Sequence, residues 1–237
     1  VIESRGLGDV YKRQVKRGQR LELFVSTQTP YMDRDEVAQV LGIGPDQVRI
    51  IPSAVGGGFG GKLDCSVQPL LAVAAWILEK PIRCTFTRPE SLSSSTKRHP
   101  AKMKASASCD KDGTLTSLSF EGDFNTGAYA SWGPTVADRV PIHCSGPYFV
   151  PNILAKTRAL LTNGPPSGAF RGFGVPQSAI AHEALMDSLA EQTGIDSLEF
   201  RLKNALRKGQ KTGSGQLLEI SVGQAAVSYT HLTLPTM

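Results

Sequence analysis

Two short runs in this 237-residue sequence combine glycines with residues able to bind a ligand. The first is Gly56-Gly57-Gly58-Phe59-Gly60-Gly61-Lys62, which stands between a strand-like and a helix-like stretch. Without side chains, backbone N–H groups can close on an anion near a helix N-terminus, so phosphate binding is one chemistry the run supports. Tight strand–helix packing is the other. The letters satisfy GxGxxG through Gly56, Gly58 and Gly61, and GxxxxGK through Gly56, Gly61 and Lys62. A nucleotide triphosphatase needs a hydroxyl after the lysine to ligate Mg²⁺, and Leu63 stands there. A dinucleotide site needs an acid at the end of the next strand, but Ile82–Thr87 leads into Arg88. The second run, Gly168-Ala169-Phe170-Arg171-Gly172-Phe173-Gly174, precedes Val175-Pro176-Gln177 and adds an arginine and two aromatics. Two such loops, about 110 residues apart, can grip opposite sides of one extended, phosphate-bearing cofactor, with Arg171 supplying charge and Phe173 a flat apolar wall.

GGGFGGK at 56–62 together with GAFRGFGVPQ at 168–177 resembles the molybdopterin-binding large subunit of the xanthine dehydrogenase and aldehyde oxidase family. The resemblance runs from about Leu21 to Leu218, with Ser26-Thr27-Gln28, Lys97-Arg98-His99-Pro100 and Val150-Pro151-Asn152 among its smaller pieces. It implies a molybdopterin-binding domain of α+β type with mixed and antiparallel sheets and packed helices. The implied activity is oxidative hydroxylation of an aldehyde or N-heterocyclic carbon. The implied cofactor is molybdopterin, in a dinucleotide form, with [2Fe–2S] clusters and FAD on partner modules. By the same resemblance, Gly58, Phe59, Gly60, Phe170 and Arg171 bind the cofactor. Phe173 contacts a planar substrate, although ordinary core packing is the other reading of each phenylalanine. Arg139 aligns with an arginine that stabilises negative charge developing on the substrate; the alternative is an exposed arginine paired with Asp138 or another carboxylate.

Two departures from that pattern matter. Xanthine-oxidising members carry a glutamate directly after GGGFGGK, where this chain has Leu63 in the substrate-contacting place. An apolar side chain there points away from purines and toward an aldehyde or a less polar N-heterocycle. Asp64 is next door, but on a helix its side chain lies roughly 100° away. The family's general-base glutamate also lies downstream of this chain, so the chain alone is expected to be inactive. A non-catalytic nucleotide- or phosphate-binding module, using only the Gly56–Lys62 loop, is the alternative.

The elements that must position these residues follow from periodicity. Leu21 onward alternates as a strand, and Pro30–Leu41 reads as a helix ended by Gly42 and Gly44. Gln47–Pro52 is a second strand. After the glycine loop, Val67, Leu70, Leu71, Ala74, Ala75 and Leu78 define a helix face expected to be buried. Ile82–Thr87 is expected to return as a strand, completing a β-loop-α-β unit. Lys102–Ser108 and Thr114–Phe120 form a hairpin across Asp110–Gly113. A loop-rich stretch covers 126–151, and a strand lies near Ala155–Leu161. Pro176 opens a helix that presents Ala181, Ala184, Leu185, Ser188 and Leu189 and closes at Gly194. Ser197–Leu206 is a last helix. Strands and helices in this order, without sustained βαβα alternation, argue for α+β rather than a doubly wound sheet.

Composition bounds the rest. A hydrophobic content of 40% suits a packed core and excludes a disordered chain. The greasiest run, Pro69–Leu78, is too short to span a bilayer. Most of the formal +5 charge sits in residues 1–20, leaving a nearly neutral body with no basic stripe for nucleic acid. Cysteines 65, 84, 109 and 144 form no CxxC pair, which implies no metal site and reduced thiols of a cytoplasmic protein. Residues 1–14 and 227–237 resemble translated sequencing-adaptor read-through, so 15–226 is expected to be an internal fragment of a longer molybdopterin-binding subunit.

Overall fold

The alternation at Leu21-Glu22-Leu23-Phe24-Val25 sends Leu21, Leu23 and Val25 to one side, and all three are buried in β1 (Leu21–Val25). The structure, a computed structural model, describes residues 20–222. Residues 1–14 and 227–237, singled out above, lie outside the described residues. The chain divides into two compact units with separate cores. One takes the residues up to Pro100 with Asn125–Gly133 and Leu160–Arg171; the other takes Ala101–Phe124, Pro134–Ala159 and the residues from Gly172 onward.

In the first unit, Pro30 presets the first turn of α1 (Pro30–Leu41), and Gly42 ends it in the left-handed region at φ 66°. A 3₁₀ turn at Pro45–Gln47 leads into β2 (Val48–Pro52), which pairs parallel with β1 from Leu21 opposite Val48 to Val25 opposite Pro52. A parallel pair needs a crossover, and α1 is that crossover. Above it lies α2 (Gln68–Leu78), whose Ala72 and Ala75 join Val37 and Ala38 of α1 in the core, while Leu71 packs with Val25 and Val67. The face is half the expected one, since Val67, Leu71 and Ala75 are buried as expected. Leu70 and Leu78 are 72% and 56% exposed, and the buried stripe runs through Val67, Gln68, Leu71, Ala72 and Ala75. Almost every position of this helix is apolar, so periodicity could not choose among its faces.

The expected strand at Ile82–Thr87 does not form. Ile82, Cys84 and Phe86 do turn alternately onto the core, but burial with period two requires only a core on one side, whereas a ladder requires a neighbour. A helix absent from the sequence reading follows, α3 (Arg88–Ser94). Thr87 opens it with a reciprocal capping box: Glu90 N–H donates to Thr87 Oγ1 at 3.4 Å, and Thr87 N–H to Glu90 Oε2 at 2.7 Å.

The second unit is built on β3 (Ala101–Cys109) and β4 (Leu115–Gly127), antiparallel from Ala101 opposite Phe124 to Cys109 opposite Leu115. Their turn closes through Gly113 at φ 81°. The sheet order is β3-β4-β5, with β5 at Asn152–Leu161. The stretch read as loop contains α4 (Gly133–His143), disguised by Pro134 and by Pro141 inside it. Helices α5 (Val175–Thr193) and α6 (Ser197–Asn204) complete the unit. Of the face expected on α5, Leu189 is buried and Ala181 and Leu185 pack against the core, but Ala184 and Ser188 are exposed and His182, Met186 and Ala190 complete the buried face. Phe120, Phe124, Val140, Met186 and Phe200 fill the core. Asn204 ties α6 to the hairpin, accepting from Leu115 N–H at 2.9 Å and donating to the Gly113 carbonyl at 2.9 Å. The architecture is α+β.

Candidate functional site

The first glycine loop leaves β2 and is held in shape by Gln28, two residues past Ser26. Gln28 Oε1 accepts from Gly60 N–H at 2.9 Å and from Lys62 N–H at 3.3 Å, while Gln28 N–H donates to the Lys62 carbonyl at 3.0 Å. A Cβ on Gly58 would collide with the same side chain, so glycine is required there for Gln28 to enter. Lys62 turns back into its own loop: Nζ donates to Ser26 Oγ at 2.6 Å and to the Val55 carbonyl at 2.7 Å. A phosphate-binding lysine must be free to reach the phosphate, and this ammonium is committed to the strand end. The nucleotide-module alternative finds no support in this geometry.

The second loop arrives backbone to backbone. A Cβ at Gly60 would lie 2.7 Å from the Ala169 carbonyl oxygen and 3.0 Å from Phe170 N. Gly61 would touch the Phe170 ring at 3.9 Å, and the Arg171 guanidinium carbon sits 5.6 Å from the centre of the Phe59 ring. Gly58, Phe59, Gly60, Phe170 and Arg171 are therefore gathered into one cradle within the first unit. Phe59, at 62% exposure, and Arg171 remain open to solvent, while Ala169 beneath them is 1% exposed.

Backbone strain marks both loops. Phe59 has φ 51° and Phe173 φ 49°, the left-handed region that bulky side chains rarely occupy, each beside glycines of φ 88°. Such conformations cost about 1–3 kcal/mol and cluster at ligand clamps. In the second unit, Phe173 lies against another residue singled out by the sequence: the Arg139 guanidinium, exposed on α4, stands 5.6 Å over the Phe173 ring. Among the described residues no carboxylate pairs with Arg139, so the alternative of an ion pair with Asp138 is not what forms.

Leu63 is partly buried, and its carbonyl accepts from Thr29 Oγ1 at 2.9 Å, fixing the loop exit to the start of α1. Asp64 does not replace the glutamate that Leu63 displaces. Ser131 Oγ donates to Asp64 Oδ1 at 2.7 Å, and Oδ2 is buried against Gly168, where a Cβ would overlap it. Burial raises the Asp64 carboxyl above the ordinary carboxylate range, opposed by the Ser131 hydroxyl. Among the described residues no group of three or more His, Cys, Asp or Glu is placed to hold a metal ion directly, and all four cysteines are free.

The cradle and its sequence are those of a known domain. The profile of the molybdopterin cofactor-binding domain matches residues 10–205, and the chain belongs to that family. It is similar to the large molybdopterin subunit of nicotinate dehydrogenase from Eubacterium barkeri, with 47% identity over 86% of this chain and 48% of that protein. Identity to the aldehyde oxidoreductase of Megalodesulfovibrio gigas is 35%, over 78% of this chain and 20% of that one. Among solved structures, the aldehyde oxidoreductase from Desulfovibrio gigas superposes with a TM-score of 0.87 at 30% identity, covering 95% of this chain and 25% of its own. Quinoline 2-oxidoreductase from Pseudomonas putida 86 gives 0.80 at 28%, covering 88% and 28%. The chain thus spans about half the nicotinate dehydrogenase subunit and smaller shares of the other relatives.

The residues fit the group that defines this family. Glycine at 58 and 60 lets Gln28 and the second loop close on the first, where a Cβ would collide with them, and Arg98 Nη1 is a buried donor left without a partner beside that loop. Two roles went unread in the sequence. Gln28 and Arg98 stood out only as parts of short resembling motifs, because neither spacing nor residue type announces a side chain that acts on a loop 32 or 73 residues away.

Proposed function

We propose that this chain forms one wall of the cofactor site in a molybdenum hydroxylase that oxidatively hydroxylates an aldehyde or N-heterocyclic carbon. The observation that carries the reading is the meeting of Gly60 with Ala169 and Phe170, which makes one cradle of two distant glycine loops. When bound, the molybdopterin, in a dinucleotide form, supplies two-electron redox chemistry at its metal. Phe59, Gly60 and the Arg171 backbone hold and orient it, with Gly58 and Phe170 shaping the cradle behind. Phe173 offers a planar substrate an aromatic face, and Arg139, held over that ring, places a guanidinium where negative charge develops on the substrate heteroatom. Electrons leave through [2Fe–2S] and FAD modules carried by partner subunits or domains. A glutamate outside this chain acts as general base, and the enzyme works in the cytoplasm. No helix among the described residues is long and apolar enough to cross a membrane.

Leu63 sets the substrate class. A pocket built to hydrogen-bond a purine rejects analogues through its unpaired polar groups, and an apolar Leu63 removes that preference. The relatives' names divide, nicotinate dehydrogenase, aldehyde oxidoreductase and quinoline 2-oxidoreductase on one side and xanthine dehydrogenase and hypoxanthine oxidase on the other, so the assignment rests on Leu63. A substrate panel on the full-length enzyme tests it, after metal analysis has established bound molybdenum. Nicotinate, quinoline or benzaldehyde should exceed xanthine in kcat/KM by about tenfold or more; xanthine in first place would overturn the assignment of Leu63.

A further inference from the structure

Arg98 belongs to neither glycine loop, yet it acts on the second. Its neighbour Lys97 forms an isolated parallel bridge with Ser167. Gly168 N–H donates to the Lys97 carbonyl at 3.0 Å, and Lys97 N–H to the Pro166 carbonyl at 3.3 Å, so the chain at residue 98 runs alongside the loop entrance. From there the guanidinium makes two contacts at once. Nη2 donates to the Arg171 carbonyl at 2.7 Å, and the guanidinium carbon stands 4.8 Å from the centre of the Phe170 ring. No carboxylate pairs with Arg98 among the described residues, and Nη1 is buried without a hydrogen-bond partner. A partly buried cation with no counter-ion is costly, and here the ring face and the carbonyl dipole are what offset it. A planar fork can lie on a ring and donate in its own plane; an ammonium cannot do both.

We propose that Arg98 is the positioning residue of the second cofactor loop, clamping Phe170 by its face and Arg171 by its carbonyl so that the Arg171 amide is presented toward the cofactor. The inference rests on reading the two loops as a molybdopterin cradle. Ala169 and Phe170 touch Gly60 by backbone, where no side chain can adjust, so a small shift of the second loop opens the cradle. Lys97 is differently employed. Its Nζ donates to the Ser91 and Ser95 carbonyls at 2.7 and 3.0 Å, closing the C-terminal end of α3. The two basic residues of the motif therefore have separate tasks.

The test compares the full-length enzyme with its Arg98→Met and Arg98→Lys variants by three readouts: amide exchange at residues 168–171, bound molybdenum, and kcat per molybdenum beside KM. In Arg98→Met, exchange at 168–171 should rise about tenfold while α5 amides stay unchanged, because only the local opening is released. Its kcat per molybdenum should fall about tenfold with KM within about twofold of the parent, the mark of a lost arrangement rather than lost substrate binding. Arg98→Lys, keeping the charge and one contact, should lie between. Parental exchange and parental kcat per molybdenum in Arg98→Met would overturn the proposal, as would a change confined to KM. If the methionine variant yields no soluble protein, Arg98→Lys decides: indistinguishable from the parent, it overturns the clamp; faster in exchange at 168–171, it upholds it. A parent enzyme without molybdenum would instead sink the molybdopterin reading, while the exchange comparison would still decide whether Arg98 holds the loop.

Discussion

Phe59 combines two properties that a residue kept only for stability would not show together. It is 62% exposed, so little of its ring area is removed from water, and it holds φ at 51°, where a side chain is strained. Packing against Arg171 returns about 0.5–1 kcal/mol at such an exposed site, less than the strain costs. Replacing it with glycine, which adopts positive φ freely, should leave stability unchanged or raise it by about 1 kcal/mol. In the full-length enzyme Phe59→Gly should therefore melt at the parental temperature or above while losing activity per molybdenum. A lower melting temperature would make Phe59 an ordinary packing residue. Phe173, at φ 49°, shares the strain and stands under Arg139, so one aromatic residue of each motif sits in a costly conformation at a place where the family resemblance puts cofactor or substrate.

At the scale of elements, legibility followed the kind of signal each segment carries. β1, α1 and β2 were readable because alternation, Pro30 and Gly42 agree with one another and with the core they build. The β3–β4 hairpin was readable from Gly113. α4 was hidden because Pro134 and Pro141 look like breakers, and α3 because its Thr87-to-Glu90 capping box overlaps a segment that alternates like a strand. The glycine loops were legible as motifs. Their contact was not, since nothing in either run encodes its distance from the other. For α2 the sequence identified a helix and Val67, Leu71 and Ala75 of its inner face but not the rest, and the structure leaves Leu70 and Ile77 each 72% exposed on the outer one. An apolar outer stripe of that kind marks a surface that another segment covers or that self-associates. In the 237-residue chain, Leu70→Lys with Ile77→Glu should reduce self-association in sedimentation while the urea midpoint stays put, because surface changes rarely move stability by more than about 0.5 kcal/mol. A midpoint lowered as much as by a core substitution would show that these side chains are buried in the chain by itself.

At the scale of the molecule, the first unit supplies one wall of a cradle. Its best anchors, Phe59 and Arg171, are exposed, the Gly60 and Lys62 amides are already held by Gln28, and Asp64 has one oxygen on Ser131 and the other buried against Gly168. A cofactor resting on one wall would keep much of its surface in water. Sites that hold a small molecule bury most of it, and the matched relatives carry about half to four-fifths of their length outside the part this chain resembles. The 237 residues expressed by themselves in molybdenum-replete cells should therefore fold around their two cores, retain far less than one molybdenum per chain by metal analysis, and turn over no aldehyde or N-heterocycle. The full-length enzyme from the same cells should hold close to one. Near-stoichiometric metal on the short chain would mean that Phe59, Gly60, Phe170 and Arg171 suffice as a site, and the second wall would then be needed for proton transfer and substrate enclosure rather than for holding the cofactor.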